Sequence, residues 1–139
     1  MGLGISITTD PESVHVGEQN LGTHRELGLD EWDELFIDVL HAPVEVERAA
    51  GEDRAAFLDR RKLLFQKDMK AKGYEMLGRM WYVFRDTYYS PKEVDKLLEE
   101  CLEIRQRLQT PKALSALEKL IYACHEALRV ESGIFLACD

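Results

Sequence analysis

The sequence predicts an α+β fold, mostly helical, with one small antiparallel sheet. Apolar alternation marks the front of the chain and a short apolar run its end, and helical spacing of apolar residues fills most of what lies between. Two proline-led helix starts, at Ser90 and Thr110, sit about twenty residues apart.

At the front, Leu3, Ile5 and Ile7 alternate with Gly4, Ser6 and Thr8, the pattern of a strand with one buried face. Asp10-Pro11-Glu12-Ser13 is turn chemistry, and Val14 and Val16 alternate again before Gly17. Residues 3–17 therefore read as a hairpin, which alone would be marginal. The run Gly133-Ile134-Phe135-Leu136-Ala137-Cys138 is expected to add a third strand and bring the termini together.

Residues 18–29, with Gly22 and Gly28, read as a loop or one short helical turn. Trp32, Leu35, Phe36, Val39 and Leu40 then mark a helix over 30–41, with Asp30 as its N-cap and Pro43 as its close. Residues 44–52 fit either a loop or a weak helix. A second helix runs from about Asp53 to Lys72 on Phe57, Leu58, Leu64, Phe65 and Met69, and Gly73 stops it. Residues 74–89 are the most apolar stretch and predict a central, enclosed helix with Trp81 and Tyr88 on one side. Ser90-Pro91-Lys92-Glu93 is a full capping box, and Thr110-Pro111 opens the next helix. The two form an αα-hairpin over 91–130, giving four or five helices in all.

The 139 residues are one expected domain, able to bury roughly two-thirds of the surface of the unfolded chain. Hydrophobic content of 45% and charged content of 32% fit a globular protein. The net charge of −8 disfavours direct nucleic-acid binding and adhesion to anionic membranes. No apolar run reaches a membrane span, and the N-terminus lacks a secretory pattern. Three cysteines without regular spacing suit reduced thiols, so a cytoplasmic setting is expected.

The charge is uneven. Residues 1–53 hold 13 acidic residues against two basic ones, whereas residues 54–90 hold nine basic against four acidic. Asp30, Glu31, Asp33, Glu34 and Asp38 share one short helix without a Lys or Arg. Like charges at this spacing weaken a helix, although acids near its start are favoured by the macrodipole. Ile37 sits among them, so Asp30, Asp33, Glu34, Ile37 and Asp38 form a candidate docking face for a basic partner. Arg60, Arg61, Lys62, Lys67, Lys70 and Lys72 form a basic cluster of a kind that binds phosphate or nucleic acid, but without aromatic interleaving or a reading motif its simplest reading is pairing with the acidic segment, in the same chain or in a second copy. Tyr82 and Tyr89, on the less apolar side of the expected 74–89 helix, are candidate contact residues.

Catalytic signatures are sparse. The glycines form no phosphate-cradling loop, no cysteine pair has metal-ligand spacing, and no cofactor motif is present, so no metal or cofactor is assigned. His24 and Arg25 lie in a polar loop that would suit a functional site. The leading expectation is a small non-enzymatic interaction protein, of an inhibitor or immunity type, that binds a basic surface of a partner such as a nucleic-acid enzyme. The alternatives are a small-molecule or enzymatic pocket between sheet and helices, lined by Trp81 and reached by His24 and Arg25, and a homo-oligomeric scaffold in which basic and acidic segments of two copies meet.

Overall fold

The computed structural model describes residues 2–8, 25–43, 46–80, 86–108 and 110–138. The side chains of residues 2, 3, 25, 26 and 138 lie outside that description. The fold is α+β and mostly helical, as the sequence predicts.

Strand β1 (Gly2–Thr8) pairs antiparallel with β2 (Arg25–Gly28), matching Gly2 with Gly28 and Ile5 with Arg25. On its other side β1 pairs antiparallel with β4 (Gly133–Cys138), matching Leu3 with Cys138 and Thr8 with Gly133. The last strand of the chain thus lies against the first, as expected. β4 also pairs with β3 (Thr87–Tyr89), so the sheet order is β2-β1-β4-β3. β2 and β3 correct the sequence reading. Residues 25–28 fall in the stretch expected to be a loop or one short helical turn, and the expected hairpin arm at Val14 and Val16 lies outside the described residues. Gly133 is required where β4 begins its pairing with β3, because a Cβ there would collide with the Tyr88 hydroxyl and the Tyr89 carbonyl.

The helix starts follow local chemistry. α2 (Arg54–Ala71) begins where Asp53 accepts from the Ala56 N–H at 2.8 Å, and it ends at Gly73, whose φ of +90° suits only glycine without strain. α3 (Pro91–Arg105) carries the complete capping box, with Ser90 N–H donating to Glu93 Oε1 at 2.9 Å. α4 (Pro111–Arg129) follows, packed against α3 as a helical hairpin. Val94, Leu97, Cys101 and Ile104 of α3 are buried. So are Leu117, Leu120, Ile121 and Cys124 of α4, together with Ala113, Ala116, Ala123 and Ala127. Four alanines on one helix let α3 and the sheet approach α4 closely, and they widen its buried face beyond the predicted leucine stripe.

The described residues of the expected 74–89 helix, 74–80 and 86–89, are not helical as a span. Tyr74–Met76 turn into a single 3-10 turn at Leu77–Arg79, and Thr87–Tyr89 are strand β3. Gly78 lies so close to α2 that a Cβ would come within 2.8 Å of Met69 Cβ, which makes this segment a backbone-packed crossing. The turn is tied down from α3, where the buried Glu100 carboxylate accepts from the Met76 and Leu77 N–H groups, both at 3.0 Å. Trp81 and Tyr82 lie outside the described residues.

Candidate functional site: an acidic helix divided in use

α1 (Leu29–Asp33) is a short α-helix that passes directly into π-helical winding over Glu34–Val39. Its N-cap position is Gly28 without a side-chain bond, so Asp30 is not the cap that the spacing predicted. The π winding has a packing cause. At about 100° per residue Val39 would fall between Leu35 and Phe36, whereas at roughly 80° Leu40 takes that place. Leu35, Phe36 and Leu40 are indeed buried, and Val39 is half-buried. The same unwinding rotates Asp38 away from the core, where it is exposed, with Ile37 beside it at 36% exposure. Trp32 anchors the helix by stacking on Phe36 (centroids 4.8 Å apart) and on Phe65 of α2 (6.2 Å), and its indole N–H donates to Met80 O at 3.2 Å.

The five acids of this segment divide into two groups. Glu34 Oε2 accepts from the backbone N–H of Ala113 at 2.6 Å, capping the first turn of α4 from outside, while Thr110 makes no side-chain cap of its own. Glu31 accepts from Ser115 Oγ at 3.0 Å and pairs with Lys119 Nζ at 2.6 Å. Asp30, on the exposed side, lies 3.6 Å from Lys112 Nζ. These three acids are therefore matched by α4, which corrects the expectation of a face with no offsetting cations and assigns Glu34 a bond within the chain. Asp33 and Asp38 have no ion pair or side-chain hydrogen bond among the described residues. Desolvation by partial burial raises the Asp33 carboxyl above its usual range, and the neighbouring Asp30 and Asp38 charges add to the rise.

The other predicted site residues fare differently. Tyr89 is 0% exposed, its hydroxyl donates to Met76 O, and burial pushes its pKa well up, so it belongs to the core and to no contact surface. The expectation failed because it rested on a helix that residues 87–89 do not form. Tyr82 and His24 lie outside the described residues. Arg25 is described only as the backbone partner of Ile5. In the basic cluster, Arg60 makes two bonds of 2.9 Å to Glu52, whose carboxyl is drawn down to about 2 by Arg60 and by the Ala49 N–H. Lys72 pairs with Asp68 at 2.7 Å and donates to Leu40 O at 2.6 Å, closing the end of the π-helical segment.

Buried reactive groups do not converge among the described residues. No three His, Cys, Asp or Glu side chains gather as a metal-ligating group. Burial drives the Cys101 thiol well above its usual range and that of Cys124 up to about 12, which leaves both as inert core thiols. An open groove of about 570 Å³ runs between the start of α1 and the start of α4, and another of about 450 Å³ lies between Leu40, Lys72, Tyr74 and Arg107. The cations of the second groove already face acids or rings: Arg107 lies 3.6 Å from Glu103 and 5.8 Å from the centre of the Tyr74 ring. No helix among the described residues is long and apolar enough to cross a membrane. Comparison with protein-family models, curated proteins and solved structures finds no match.

Proposed function

We propose that the chain is a non-enzymatic interaction protein that engages a basic surface of a partner protein through the strip Asp33, Ile37 and Asp38, with Asp30 at its edge. The observation that carries this reading is the inequality among the acids of one helix. Three are held by α4, while two stay crowded around an exposed isoleucine. π winding is rare, and such turns recur at functional sites. An apolar centre inside a charged rim is the composition of a docking patch: the isoleucine supplies desolvated contact and the carboxylates supply steering. The concrete form is an inhibitor or immunity-type protein that occupies a basic groove of a nucleic-acid enzyme, where carboxylates stand in for phosphate charge.

The test compares capture from a cell extract by the wild-type chain and by the D33K/D38K variant, followed by binding of the recovered partner across a salt series. A partner held by the wild type, lost by the variant and weakened by salt supports the reading. Equal capture by both chains, or binding indifferent to salt, refutes it. Glu34 is left untouched, because its loss would disturb α4.

A further inference from the structure

The outer face of α2 mirrors the acidic strip. At about 100° per residue Phe65 and Met69 point to the core, and Arg60, Leu63, Lys67 and Lys70 point the opposite way. Leu63 is 65% exposed, the largest exposure among the big apolar side chains described. Lys67 has no ion pair among the described residues, and Lys70 approaches Glu75 only to 3.9 Å. Asp59 is the acid on that face. From Arg54 to Lys72 the helix carries seven basic residues against two acidic ones, in a chain whose net charge is −8. One leucine in a basic surround on α2 thus complements one isoleucine in an acidic surround on the π-helical segment.

We propose that a second copy of this chain is a partner: the Leu63–Lys67–Lys70 face of one copy docks head-to-tail on the Asp33–Ile37–Asp38 strip of another. The inference rests on reading that strip as a docking surface, and it implies that self-association and partner binding compete for it. Net repulsion between two acidic copies is screened beyond about 8 Å at physiological salt, whereas contact between opposite patches acts inside that distance. The contact is consequently weak and salt-sensitive, and it strengthens with protein concentration.

Sedimentation velocity on the full chain, at up to about 1 mM and at about 0.15 M and about 0.5 M salt, tests it. The wild type should associate at the lower salt and dissociate at the higher. K67E/K70E and D33K/D38K should each weaken self-association by on the order of tenfold or more, with far-UV circular dichroism and melting unchanged. An equimolar mixture of the two variants should associate again, because each supplies the charge the other lacks. A wild type that stays monomeric throughout, a variant that associates as before, or a mixture that fails to assemble overturns the proposal. The two readings fail separately. K67E/K70E keeps the acidic strip and must still bind a heterologous partner, while loss of partner binding in D33K/D38K says nothing for a wild type that never self-associates.

Discussion

Replacing Glu34 with Ala should destabilise the protein, and replacing Asp38 with Ala, one turn further on, should not. The Glu34 carboxylate is the side-chain acceptor at the Ala113 N–H, at 2.6 Å in a half-buried setting, and Thr110 supplies no substitute. Loss of an N-terminal cap costs about 0.5–2 kcal/mol, and a hydrogen bond to a charged group contributes about 1.5–3 kcal/mol. Water can reach the vacated N–H in part, so a net loss of about 1–2 kcal/mol is expected. With an unfolding entropy near 0.3 kcal/mol per kelvin for a chain this long, the melting temperature should fall by about 3–7 °C. Asp38→Ala removes no bond and relieves repulsion with Asp33, so its effect should stay within about 0.5 kcal/mol. Urea unfolding followed by circular dichroism, with unchanged slope, reads both. An E34A midpoint equal to the wild type, or a D38A midpoint as low as that of E34A, would refute the division of the acidic helix into a structural and a free part.

Two further outcomes follow from the packing around residues 74–93. Gly78→Ala places a methyl group 2.8 Å from Met69 Cβ, and overpacking of this kind should cost about 1–3 kcal/mol; a midpoint within error of the wild type would mean that α2 does not press on this turn. The Glu93 carboxyl is held below its usual range by the Ser90 N–H, against desolvation, with the Arg79 guanidinium adding to the lowering. A depressed folded-state pKa contributes stability that is present above the unfolded-state value and is lost as pH falls through the folded one. Glu93→Gln should therefore flatten the decline in stability between about pH 5 and pH 3; an acid limb that superimposes on the wild type would remove Glu93 from that account.

What was legible in the sequence was local. Asp53, Gly73, Ser90 with Glu93, and Pro111 mark helix ends through chemistry contained within a few residues, and those boundaries hold. The alternation at Ile5 and Ile7 and the run at Ile134–Leu136 were readable because period-two spacing and a short apolar run behind a glycine are both local strand patterns. The hidden features depend on distant partners. β3 is a strand because β4 pairs with it; Thr87-Tyr88-Tyr89 carries strand-favouring residues, but three of them cannot name the partner. The Trp32–Phe36–Phe65 cluster and the Gly78 crossing join α1, α2 and the 3-10 turn across long separations. Within the acidic face, composition located the carboxylates but not their uses. Glu34 meets Ala113, and Glu31 meets Lys119, far along the chain. π winding, which turns Asp38 outward, follows from which of Val39 and Leu40 fits the core, a choice made by packing and not by periodicity.

The most direct measurement is the association rate of the wild-type chain with its captured partner as ionic strength rises, set beside the same series for D33K/D38K. Action through Asp33 and Asp38 predicts a steep fall with salt for the wild type and a slower, nearly flat series for the variant. Coinciding salt series would contradict it, because the two aspartates would then steer nothing.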